Sequence, residues 1–174
     1  MGDRASRTRS VQEEAMTAEG FATCLWFDRQ AEEAARYYVS VFKDSSLGRI
    51  THYPDDADRG GEVLTVDFTA NGQQFVALNG GPEFTFNEAV SFQIICDDQE
   101  EIDHYWARLT EDGGQPGPCG WLKDRYGLSW QVVPKALLEM VASEDRESSA
   151  RAVKAMMGMG KLDLAALEAA YAGR

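Results

Sequence analysis

The chain has 174 residues, a formal net charge of −12 and 44% hydrophobic residues. That length and apolar content suffice for a self-supporting core and exclude a disordered chain. The acidic excess falls on residues 21–134, and a surface of that sign repels phosphate backbones and anionic lipid, so neither nucleic acid nor a membrane is an expected partner. No run nears the roughly 18 to 20 apolar residues that span a bilayer, and residues 1–20 lack the apolar centre of a signal peptide. Cys24, Cys96 and Cys119 form no CxxC pair, which suits a reducing compartment, and the chain reads as cytoplasmic.

Residues 1–20 are polar and without periodicity and read as a flexible extension, with order expected from Phe21. Phe21 to Phe27 reads as a buried strand, and Asp28 offers a cap to a helix whose Ala31, Ala34, Ala35, Tyr38, Val41 and Phe42 form one apolar stripe. Strand patterns follow at Leu47 to Tyr53, Glu62 to Ala70 and Gln73 to Asn79. Asn71-Gly72 marks a two-residue hairpin between the last two, since both positions tolerate positive φ. The acidic, glycine-ended stretch 52–61 predicts a mobile loop.

The same order then returns. Ala89 to Cys96 alternates as a strand, Asp97-Asp98 with Glu100-Glu101 predicts a capping box, and Ile102, Tyr105, Trp106 and Leu109 share a helix face. Gly113-Gly114 ends that helix, and strands are expected at Gln115 to Pro118, Cys119 to Lys123 and Leu128 to Val133. Residues 21–80 and 89–134 therefore each spell βαβββ, and the predicted fold is α+β: paired modules forming a curved mixed sheet around a cup. Residues 135–174 predict a helical tail with methionine-rich apolar faces, packed on the domain or across a homodimer.

Strand alternation divides the cup from the helix side. The more polar sets, Thr23, Leu25 and Phe27, then Ala89, Ser91 and Gln93, then Ser129, Gln131 and Val133, are expected to line the cup. Asn79, Ser91, Gln93, Ser129 and Gln131 would supply neutral donors and acceptors, and Phe27, Phe75, Phe86 and Trp121 aromatic walls. This mixture suits a small-molecule ligand. Asp67, on a strand face with Thr65 and Thr69, is the candidate catalytic base. Cys119, close to Lys123, is weighed as a nucleophile against a structural thiol. His52 and His104 have no carboxylate at a metal-pair spacing and read as exposed side chains.

Three stretches, CLWFDRQAEEAARYYVSVF, FVALNGGPEFTFNEAVSFQI and CGWLKDRYGLSWQVVP, resemble in order and spacing the PhnB-like branch of the vicinal oxygen chelate superfamily, which includes glyoxalases, extradiol dioxygenases and bleomycin-resistance proteins. The resemblance covers residues 21–134 and continues into the tail ending LDLAALEAAYAG. Many members of this branch carry the label 3-demethylubiquinone-9 3-methyltransferase, yet no strand, Gly-rich loop and helix in sequence offers a site for S-adenosylmethionine. In the superfamily's metalloenzymes, His, Glu or Gln side chains converge on a divalent cation, and the resemblance carries those positions onto Thr23, Ala77 or Asn79, Ala89 and Gln131. Thr and Ala do not ligate such ions and a lone amide is a poor ligand, so neither a metal nor a cofactor is expected. The expected function is metal-independent binding of a small molecule. The alternative is an enzyme of the same superfamily, whether lyase, isomerase, dioxygenase or the methyltransferase of the label, using Asp67 or a displaced metal.

Overall fold

A computed structural model describes residues 20–174. The chain divides into two compact units, one running to Phe84 and the other from Thr85 to Arg174. In the first, β1 (Thr23–Phe27), α1 (Ala31–Val41), β2 (Ser46–His52), β3 (Val63–Ala70) and β4 (Gln73–Asn79) follow in order. In the second come β5 (Ser91–Cys96), α2 (Gln99–Thr110), β6 (Gln115–Pro116), β7 (Trp121–Lys123) and β8 (Ser129–Pro134), then helices α3 (Lys135–Ala142), α4 (Arg146–Met156) and α5 (Leu164–Tyr171). The sheet orders β1-β4-β3-β2 and β5-β8-β7-β6 are the same permutation, each with one parallel pair and two antiparallel pairs. The fold is thus α+β with two four-stranded mixed sheets, built from two βαβββ modules.

In the first unit, Ala31, Ala34 and Ala35 are fully buried, and their small side chains let α1 lie close on its sheet. Tyr38 stacks on Phe68 at 5.9 Å and Phe68 on Phe75 at 5.1 Å, joining helix to sheet through three aromatic rings. Burying one such ring stabilises by roughly 1.5–3 kcal/mol. The Asn71-Gly72 hairpin has both residues at positive φ, 49° and 75°, and sets the β3–β4 register.

Three local expectations are corrected. The first strand starts at Thr23, and Phe21 is fully exposed. Asp28 does not cap α1: the Oδ1 of Asn79, 48 residues away, accepts from the Ala31 amide at 2.8 Å. The stretch 52–61, expected to be mobile, is hydrogen-bonded across its base, Tyr53 N to Glu62 O at 2.9 Å and Gly61 N to Tyr53 O at 3.2 Å. The Arg59 guanidinium lies over the Tyr53 ring at 4.8 Å and donates to Glu62 and to the Asn79 carbonyl, fastening the loop further.

In the second unit the capping box forms. Asp98 accepts from the Glu101 amide at 2.9 Å, and Glu101 accepts from the Asp97 amide at 3.0 Å. Strand β7 starts later than expected because Cys119 and Gly120 sit at φ 55° and 81°, outside extended geometry. The tail joins this unit. Leu137, Met140, Ala152, Leu162 and Leu167 form a core with Val133 of β8, and Gln99 of α2 bonds both the Leu162 carbonyl and the Leu164 amide. A further clasp pairs Lys161 with Asp103, holding that carboxyl below its ordinary range. Among the described residues no helix is long and apolar enough to cross a membrane.

Candidate functional site

The register separates the two faces of each sheet. In the first, Thr23, Leu25 and Phe27 of β1 lie beside Phe75, Ala77 and Asn79 of β4, and Phe68 of β3 pairs with Phe75. This set faces α1, as the Phe68–Tyr38 stack and the Asn79–Ala31 bond show. Phe27, Phe75 and Asn79, expected as lining of a binding cup, are instead the buried helix side of the sheet, each 4% exposed. The Asn79 amide is spent on structure, its Nδ2 donating to the Val63 carbonyl at 3.0 Å. The opposite face carries Cys24, Trp26, Val76, Leu78, Thr65 and Asp67. Burial raises the pKa of Cys24, which favours its neutral thiol. Trp26 is fixed there by its Nε1 bond to the Gly81 carbonyl at 2.8 Å and its edge contact with Phe84.

Asp67 lies on that opposite face, 6% exposed. Strand β2 bulges between Leu47 and Ile50, across from Asp67. Gly48 packs directly on Asp67, where an added Cβ would sit 3.1 Å from the Asp67 Cβ, and Arg49 pairs with the carboxylate at 3.3 Å. The carboxylate is the counter-ion of the bulge.

In the second sheet, the face toward α2 holds Phe92, Ile94, Leu122, Trp130 and Val132. The other face is a small grid in which Ser91, Ser129 and Lys123 form one row and Gln93, Gln131 and Trp121 the next. Gln93 Nε2 donates to Gln131 Oε1 at 3.1 Å, and Gln131 Nε2 to Ser91 Oγ at 2.8 Å. Phe86 is half-buried in the segment before β5 and outside this grid. Ala89 also precedes the strand.

Next to the grid lies a concavity of about 450 Å³, walled by Trp121, Leu122, Pro116 and Pro118 and lined mostly by apolar surface. The turn between β6 and β7 shapes it through Gly117 N to Trp121 O at 2.8 Å and Trp121 N to Pro118 O at 3.0 Å. Ser129 reaches this space fully buried, and its Oγ has no hydrogen-bond partner. Lys123, directly across from Ser129, pairs with Glu88 at 2.5 Å, with Glu88 63% exposed. The Lys123 bond, followed by the Glu88 backbone amide, holds the Glu88 carboxyl below its usual range. Cys119 also lines the space, its Sγ lying 3.7 Å from Met157 Sδ.

Sequence reasoning missed Glu88 and Pro118, which lie in turn segments with no strand periodicity, and Pro116, which ends the two-residue strand β6. It also missed Asp124, the anchor beneath the site. That carboxylate is 2% exposed and accepts from the Tyr126 amide at 2.9 Å, the Leu128 amide at 3.1 Å and Trp130 Nε1 at 2.8 Å. An Asp at the head of a glycine-ended turn is the local signal for such a hub.

These residues do not fit the divalent cation of the superfamily's metalloenzymes. Both polar atoms of Gln131 are engaged by neighbours, Thr23 and Ala77 face α1, and among the described residues no three His, Cys, Asp or Glu side chains group to hold an ion. S-adenosylmethionine fits no better: the links from β1 to α1 and from β5 to α2 contain no glycine for close backbone approach. His52 ends β2 exposed, and His104 lies exposed on α2 against Tyr105.

Comparison with known proteins decides the family. A family model described as 3-demethylubiquinone-9 3-methyltransferase matches residues 19–133. The chain belongs to this family. A solved family relative, described as a putative 3-demethylubiquinone-9 3-methyltransferase, PhnB protein, from Bacillus cereus, is 32% identical, with 67% of this chain and 99% of that one covered and a TM-score of 0.59. Protein PA1353 from Pseudomonas aeruginosa, 18% identical over 67% of this chain and 98% of its own, shares the fold at a TM-score of 0.56. A fosfomycin resistance protein, FosX, from Mesorhizobium loti is similar over 72% of this chain and 99% of its own, at 17% identity and a TM-score of 0.49. No curated protein matches.

Proposed function

We propose that this chain binds a small organic molecule in the concavity beside the second sheet, without a metal ion. The observation carrying this reading is the Ser129 hydroxyl, fully buried and unpartnered on the wall of a space of about 450 Å³. A buried hydroxyl without a partner costs roughly 1–3 kcal/mol, a penalty that a bound ligand removes. Volume and lining agree: ligand pockets measure about 300–1,000 Å³ and combine apolar walls with few polar groups. Ser91, Gln93 and Gln131 hold the adjoining surface in one geometry, and Trp121 supplies a flat wall.

Ligand-observed NMR against a library of small fragments tests the reading. Fragments whose signals saturate with the wild-type protein should lose them with Trp121→Ala, while Gln131→Ala weakens a subset. An identical set of binders for wild type and Trp121→Ala would remove the site from this concavity.

Acid–base catalysis through Asp67 is the second reading, favoured by a carboxylate only 6% exposed on the face away from α1. Its pairing with Arg49 across the bulge gives it a structural task instead. Substrate turnover abolished by Asp67→Asn in a protein that melts like wild type would restore the catalytic role.

A further inference from the structure

The rim of the concavity narrows the ligand class, an inference that rests on the binding site proposed above. Lys123 and Glu88 both line the space and are joined by the ion pair between Nζ and Oε1. Glu88 is 63% exposed and comes from the segment before β5, whereas Lys123 is 33% exposed and fixed in β7 across from Ser129. Exposed pairs of this kind open at little cost. Three ligand charge types meet this rim differently. An anion that engages Lys123 takes over Glu88's partner and leaves that carboxylate unpaired beside a like charge. A cation that engages Glu88 strands Lys123 in the same way. A zwitterion whose opposite charges are a few bonds apart inserts into the pair, carboxylate to Lys123 and ammonium to Glu88, and leaves no charge unpaired.

The remaining contacts match such a molecule. The apolar body meets Trp121, Leu122 and the prolines, and the buried Ser129 Oγ, beside Lys123, gains a carboxylate acceptor. We propose that the concavity recognises a zwitterion of amino-acid type with an apolar or aromatic side chain, held by the Lys123–Glu88 pair and by Ser129.

Calorimetric titration of the full chain with phenylalanine and tryptophan, and with phenethylamine and 3-phenylpropanoate as singly charged counterparts, tests this. Phenylalanine or tryptophan should bind saturably, and the two counterparts at least about tenfold more weakly than phenylalanine, because each forfeits one charge contact and brings a like charge beside the group it leaves unpaired. Lys123→Met should erase the advantage of phenylalanine over phenethylamine, and Glu88→Gln its advantage over 3-phenylpropanoate. Ser129→Ala should weaken the amino acid several-fold. A counterpart binding as tightly as the amino acid, advantages that survive in the rim variants, or no saturation by either amino acid overturns the zwitterion. The binding reading is judged separately. If a counterpart or a fragment binds and Trp121→Ala abolishes it, the site stands and only the ligand class falls. If Trp121→Ala loses no binder, both fall.

Discussion

Asp124 and Asn79 are polar side chains placed inside the protein to finish backbone that the strands and helices leave open. Asp124 satisfies two turn amides and an indole, so Asp124→Ala strands two buried donors and one part-buried donor and removes the turn that positions β8. Its cost should be about 3 kcal/mol or more, read from urea unfolding midpoints, with Asp124→Asn falling between the two because one acceptor remains. A midpoint for Asp124→Ala equal to wild type would discount the hub. Asn79→Ala removes the side-chain acceptor of the Ala31 amide at the start of α1 and should cost about 1–2 kcal/mol in the same assay. Asp28→Ala should leave that midpoint within about 0.5 kcal/mol, as for ordinary surface substitutions.

At the scale of elements, the helical tail is tied to its unit by burial more than by charge. Leu162 is 1% exposed and packs where Gly120 approaches, and Cys119 N to Met159 O at 2.7 Å and Gly120 N to Gly160 O at 2.8 Å sew the connecting loop down. Leu162→Ala should cost about 2–5 kcal/mol. Gly120→Ala should be destabilising as well, because φ is 81° and the new Cβ would lie 2.8 Å from the Val132 carbonyl. The Lys161–Asp103 clasp adds a pH dependence of defined sign. Its bonds to Lys161 and Gln99 lower the Asp103 pKa from 3.8, so its contribution is present above that value and lost as pH falls through the lower folded value. Wild type should lose more stability between pH 5 and 2 than Asp103→Asn; parallel pH curves for the two would assign the clasp no role.

The whole molecule carries its charge of −12 with a sequence pI near 4.6, and this governs its encounters more than its fold. Solubility should pass through a minimum near pH 4.6, measured by turbidity across a pH series, as self-repulsion vanishes. At physiological salt the chain should bind neither duplex DNA nor anionic vesicles in co-sedimentation. The homodimer expected from the apolar tail is a proposal at this scale. Leu138, Val141 and Met157 are exposed apolar side chains of that segment, and light scattering of a Leu138→Glu, Val141→Glu variant should show a smaller particle than wild type if they lie in a subunit contact.

The order of elements was legible because it rests on local physics. Apolar spacing defined α1 and α2, Asn71-Gly72 dictated a hairpin through positive φ, and Asp98 with Glu101 announced a helix start. In the second module even the faces were readable: Trp130 and Val132 are apolar while Ser129 and Gln131 are polar, so alternation separated the helix side from the open side. In the first module it was not. Leu25 and Phe27 differ little in polarity from Cys24 and Trp26, and a strand apolar on both faces carries no mark of which one meets the helix, so Phe27, Phe75 and Asn79 were assigned to the wrong side. Tertiary structure alone decided that Asn79 caps a helix 48 residues away, that Arg49 neutralises Asp67 across a bulge, and that Glu88 meets Lys123 at a rim. Each is a contact between segments distant in the chain, and periodicity, which reports only what neighbours along one element share, has no term for it.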